Sequence, residues 1–170
     1  MALSCVLMMV MFCYQDAARR VPGNYLLLGG FTVCLSYMVG YIASSYGTQT
    51  VFMAAIMTLA LTISLTIYAF TTKTDYTYLG ATLFILACGL IMFGLFAFVF
   101  QYELMVTTWS ILGVILYSYY LVYDTQLIAG GCHRHFTLSL DDYVIAALII
   151  YIDVIILFLR ILEIVGQFAK

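Results

Sequence analysis

The chain has 170 residues, of which 66% are hydrophobic and 8% charged, with one proline and a formal net charge of −2. Its mean hydropathy is +1.13. Soluble domains carry about 25% charged residues, so this composition cannot furnish a water-facing surface, and the chain reads as an integral membrane protein whose first partner is a lipid bilayer. Basic runs and aromatic-basic interleaving are both absent, which argues against a nucleic-acid partner.

A spanning helix takes about 20 mostly apolar residues. The first apolar segment, 2–14, has 13 residues, or about 20 Å of helix, too short to cross alone. It has neither a basic start nor a small-residue cleavage site, so it does not fit a signal peptide. It reads instead as the second half of a span whose first half is missing. Five segments then qualify as spans: 24–46, 49–70, 78–100, 107–128 and 143–166. In the first, Ser36, Gly40 and Ser44 place a small residue at every fourth position, a stripe that predicts close helix packing. Between the second and third spans, Lys73 and Asp75 read as turn charges. Gly130 and Gly131 end the fourth. The last span begins near Ser139, whose hydroxyl can cap the helix with Asp142 reaching back. The expected fold is all-α, a single polytopic bundle over 1–170 with six hydrophobic segments.

Loop charges give an orientation. Arg19 and Arg20 lie in the first loop, Lys73 in the third, and Arg134 with His133 and His135 in the fifth, whereas the second has no charge and the fourth only Glu103. Basic residues mark cytosolic loops, so the odd-numbered loops face the cytosol. Arg160 and Lys170 fit poorly with a far-side C-terminus and keep a re-entrant last segment open. Tyr14, Tyr46, Tyr76, Tyr78, Tyr102, Tyr143 and Trp109 gather near span ends, as in an interfacial aromatic belt. The five cysteines, Cys5, Cys13, Cys34, Cys88 and Cys132, have no framework spacing and read as small apolar residues.

Two aspartates carry the functional question. Asp124 lies about four residues from the cytosolic end of its span, roughly 6 Å of helix. Asp153 lies some 16 Å deep, too far for a short side chain to reach the headgroups. A carboxylate at that depth costs about 2.5–3.5 kcal/mol on insertion scales, which a proton, a cation, a basic partner or a water-filled cavity must offset. The short loop 129–138 makes the two helices antiparallel neighbours, so the carboxyls can face each other. Two carboxyls in a low-dielectric site resist simultaneous ionisation and titrate as a pair. This is the physics of a proton-sensitive latch, and a doubly ionised pair attracts a hard divalent cation such as calcium. The plain alternative is that Asp153 bonds a neighbouring helix while Asp124 is solvated. Arg160 and Glu163, on roughly the face of Asp153, are accessory charges that can pair with each other. Cys132, His133 and His135 have no second ligand cluster to complete a metal site.

At these residues the chain resembles the transmembrane Bax-inhibitor-motif family, and within it the Lifeguard branch, closest to its glutamate-receptor-associated and Fas-inhibitory members. The resemblance is carried by YDTQLIAGG (123–131), SLDDYVIAAL (139–148) and YIDVIILFLRIL (151–162), with QDAARRVPGNYLLL, SYMVG and TTKTDYTYLG before them. It implies a bundle of about seven helices, the first absent here and the second cut short. It also implies calcium leak from intracellular stores and suppression of programmed cell death, in the endoplasmic reticulum or Golgi, with plasma and mitochondrial inner membranes as further sites. In bacterial relatives a pair of aspartates on the last two helices acts as a pH sensor that controls a pore, and Asp124 and Asp153 match that pair by motif. An arginine near the end of the second helix joins the pair there. Here the nearest match falls around Asp16, with Arg19 and Arg20 further along, so no arginine is carried over.

Three functions follow for comparison. The leading one is a proton-regulated calcium leak channel, with Asp124 and Asp153 as sensor and transient calcium ligands, calcium as permeant ion and no cofactor. The second is a regulator acting through other membrane proteins of death or calcium signalling, without channel activity. The third is an intramembrane aspartyl protease, whose Tyr-Asp motif Tyr123–Asp124 reproduces. That class places Gly-x-Gly before its second aspartate, whereas Ile150, Tyr151 and Ile152 precede Asp153, so a non-enzymatic function is expected.

Overall fold

The computed structural model describes residues 23–130 and 143–169. Segment 2–14, Arg19, Arg20, Cys132 to His135, Ser139, Asp142 and Lys170 lie outside them, so the first-loop and fifth-loop readings and the sixth hydrophobic segment do too. The described elements are α1 (Gly23–Ala43), α2 (Thr48–Thr71), a 3-10 turn (Thr77–Leu79), α3 (Gly80–Phe100), α4 (Glu103–Ala129) and α5 (Tyr143–Phe168). All five α-helices are long and apolar enough to cross a membrane, and the family fold's six-segment count reduces to five among the described residues.

Helix is what lipid imposes, because every backbone N–H and C=O must be bonded within its own segment. The hydroxyls follow the same rule. Thr58 donates to Ala54 O at 2.7 Å, Ser118 to Val114 O at 2.7 Å and Thr125 to Leu121 O at 2.6 Å, so each spends its proton on its own helix. α4 begins at Glu103, four residues ahead of the expected span, since an acidic residue in a first turn suits the positive end of the helix dipole. α5 is unbroken over 26 residues, about 39 Å, enough to cross completely.

The turns have visible causes. Asp75 Oδ1 accepts from Thr77 N at 2.9 Å and from Thr77 Oγ1 at 2.6 Å, which starts the 3-10 turn as an Asx-type motif. Gln101 adopts a left-handed φ of 51° and its N–H bonds Ala97 O, so α3 and α4 are joined by two residues. Gly130, at φ 62°, ends α4 with its N–H on Gln126 O.

α5 is the centre of the bundle. Phe31 of α1 packs against Val144 and Leu148, and Ala54 of α2 packs against Ile161 and Leu162, with Val114 of α4 beside them. α3 packs on α4. Large apolar side chains such as Leu26, Phe52, Phe84, Phe98 and Ile115 point outward, as a lipid-facing surface requires.

Two expectations are corrected. The Ser36–Gly40–Ser44 stripe is exposed, and a β-carbon on Gly40 would meet nothing within 4 Å among the described residues; α1 instead buries Asn24 and Phe31 toward α5. Trp109 is no belt residue. Its indole N–H donates to Leu90 O at 3.0 Å, and its ring fills the space over Gly94, where a β-carbon would lie 2.6 Å from the indole. Gly94→Ala must therefore displace the indole and break that bond. A loss of about 1–3 kcal/mol is expected, measured as a lower unfolding midpoint in detergent, while Gly40→Ala leaves the midpoint unchanged.

Candidate functional site: the α4–α5 seam

α4 and α5 run antiparallel and meet along one polar stripe. At one end Thr107 of α4 is hydrogen-bonded to Gln167 of α5. Next, Ser110 Oγ donates to Glu163 Oε2 at 2.5 Å, and Gly113 receives the stem of Arg160. Further on, Tyr117 lies within electrostatic reach of both Arg160 and Asp153. Its ring centroid is 5.7 Å from that of Tyr120, and Tyr120 in turn lies within electrostatic reach of both Asp124 and Asp153. The stripe ends on the two aspartates. On α4 the positions recur at steps of three and four, which is one helix face.

The carboxyls of Asp124 and Asp153 are hydrogen-bonding partners. Such a bond needs a proton on one of the two groups. Both residues are buried, at 8% and 5% exposure. Asp153 stands ten residues from the first residue of α5, about 15 Å along the helix. Its Oδ2 is buried without a hydrogen-bond partner among the described residues, an orphan acceptor that a proton, a water or a cation suits. The helix remains regular on either side of it. No group of three His, Cys, Asp or Glu side chains that could hold a metal occurs among the described residues, so a cation here would take its remaining oxygens from water or backbone.

The accessory charges form their own node. Arg160 Nη1 lies 3.2 Å from Glu163 Oε2, and its guanidinium sits 3.5 Å from the Trp109 ring centroid. The site residues thus fall into two nodes on one seam, an acid pair and an ion pair, separated by seven positions of α5, or roughly 10 Å.

Sequence reasoning missed two residues that set this geometry. Gln126, two positions after Asp124, is fully buried. It accepts from Tyr76 N at 2.8 Å and donates to Thr74 O at 3.0 Å and Ala69 O at 3.3 Å, clasping the chain between α2 and α3. Asn24 is also fully buried and donates to the Tyr143 hydroxyl at 2.7 Å, which ties α1 to the start of α5. A neutral amide in an apolar run was the available signal, since in lipid it too demands partners.

Residues 1–170 match the family described as Inhibitor of apoptosis-promoting Bax1. The chain is 36% identical over 163 residues to Protein lifeguard 3 of Homo sapiens, covering 94% of this chain and 52% of that protein. Against Protein lifeguard 3 of Mus musculus it is 35% identical over 159 residues, 91% of this chain and 51% of the other. Protein LIFEGUARD 4 of Arabidopsis thaliana is 35% identical over 150 residues, 86% of this chain and 58% of its own length. The chain spans about half the length of the curated relatives it matches.

Proposed function

The chain belongs to the family of inhibitors of apoptosis-promoting Bax1, in its Lifeguard branch, and from that premise we propose that this multi-pass membrane protein is a pH-sensitive calcium leak channel that regulates store calcium and thereby restrains programmed cell death, in the endoplasmic reticulum or Golgi. The observation that supports the reading is the meeting of Asp124 and Asp153, each buried, across the α4–α5 seam.

With one proton shared, the carboxyls bond each other and hold the helices together. Loss of that proton leaves two negative charges side by side where the low dielectric strengthens their repulsion. The seam must then part or admit a cation, and calcium, a hard ion that takes carboxylate oxygens, satisfies both charges. Proton and calcium therefore compete for one pair of groups. The proposed role needs no catalysis.

The test is reconstitution of the purified protein as the sole protein in calcium-loaded liposomes. Release that varies with external pH is the expected result. Tight vesicles at every pH would remove the channel reading and leave a regulator that acts through other membrane proteins.

A further inference from the structure

We propose that Arg160 and Glu163 form a charge-neutral constriction on the cation route through the α4–α5 seam, and that Arg160 is the specificity-determining residue there. The inference rests on the channel reading and adds a second control point to it, distinct from the acid pair.

The geometry gives this node the character of a seat. Arg160 lies on the seam face, with its guanidinium over Trp109 at 3.5 Å and its stem in the space that Gly113 leaves open, where a β-carbon would stand 3.0 Å from Arg160 Cδ. Its Nη1 pairs with Glu163 Oε2 at 3.2 Å, and the same oxygen is held by Ser110 Oγ at 2.5 Å. Arg160 Nε is buried and makes no hydrogen bond among the described residues, so within them the guanidinium is only partly committed. Among the described residues the other titratable groups facing the node are Tyr46, in the turn between α1 and α2 and within electrostatic reach of Glu163, and Tyr117 of α4, within reach of Arg160. Just past Glu163 the seam opens, between the start of α4 and the end of α5, into a cavity of about 540 Å³ lined by Glu103, Thr107 and Gln167 among others. An ion travelling between that cavity and the acid pair along the polar stripe passes Arg160.

A fixed positive charge in a low-dielectric passage repels a divalent cation twice as strongly as a monovalent one. Glu163 cancels that charge while the pair is intact. The pair therefore sets both the barrier height and the balance between calcium and potassium. A residue that merely packs the helices would show no dependence on the sign of the charge removed, and this supplies the test.

The experiment measures calcium and potassium release from liposomes holding the full chain. Arg160→Met leaves the carboxylate of Glu163 alone and is expected to raise calcium release on the order of tenfold, with a higher calcium-to-potassium ratio. Glu163→Gln leaves the guanidinium uncancelled and is expected to lower both release and ratio. The double variant returns both toward wild type. Gly113→Ala, which crowds Arg160 without altering any charge, supplies a second route should the charge variants fail to fold, and is expected to raise release several-fold by unseating the guanidinium. If release and ratio in these variants match wild type, or if Arg160→Met and Glu163→Gln change them in the same direction, the inference is overturned. Absence of release from wild type itself would instead defeat the channel reading.

Discussion

Calcium release through the Asp153→Asn variant is expected to be flat between about pH 5 and pH 8, at the level that the wild type reaches at the acid end of its profile. Asparagine has nearly the volume of a protonated aspartic acid and keeps an amide N–H to donate to Asp124. It carries no proton that it can lose. Only one negative charge is then available at the seam, and that charge always has a donor, so the like-charge repulsion of the doubly ionised pair never develops. Asp124→Asn is expected to do the same from the other helix, because the pair rather than either residue is the titrating unit. The measurement is the initial rate of release from vesicles across the pH series. A variant that retains the wild-type profile would place the sensor elsewhere in the molecule.

Gln126→Leu is expected to destabilise the fold by about 2–4 kcal/mol, because the substitution keeps the volume and deletes the bonds that the amide makes. The Tyr76 N–H loses its acceptor and Thr74 O loses a donor, in a turn that lies at the edge of the bilayer. Thermal unfolding in detergent reads the loss, and protease sensitivity of the stretch between α2 and α3 locates it. Gln126→Glu keeps an acceptor for Tyr76 but offers no donor to Thr74, and should fall between the two. An unfolding midpoint for Gln126→Leu equal to wild type would show that water replaces the amide at no cost.

The spans were legible in the sequence because lipid admits little else. An apolar run near 20 residues must be helical, so the expected 49–70 and 143–166 differ from Thr48–Thr71 and Tyr143–Phe168 only at their ends. The family resemblance carried by YDTQLIAGG and YIDVIILFLRIL is borne out by the comparisons. Helix faces were another matter. These helices are apolar all round, so no polar side marks what is outward, and the small-residue stripe of α1 misled because small residues favour close packing without requiring a partner. Asp124 and Asp153 stood out because an acid in lipid has few explanations. Gln126 did not, since its bonds reach Thr74 and Tyr76, some 50 positions away, and nothing local announces them. Trp109 was assigned to a belt by its place near a span end. Its true neighbours, Gly94 and Arg160, come from different helices.

The two-residue turn at Gln101 has a mechanical consequence. α3 is fastened to α4 at both ends, by Trp109 on Gly94 and by Tyr123, whose hydroxyl lies 2.9 Å from where a β-carbon on Gly80 would stand. The hairpin is therefore built to move as one lever, and in the channel proposed above a parting of α4 from α5 would sweep the exposed flank of α3, with Phe84, Phe96 and Phe98, through the surrounding acyl chains. On that proposal opening does work on the lipid, so the tension and thickness of the host membrane would enter the energy of the closed state alongside the proton.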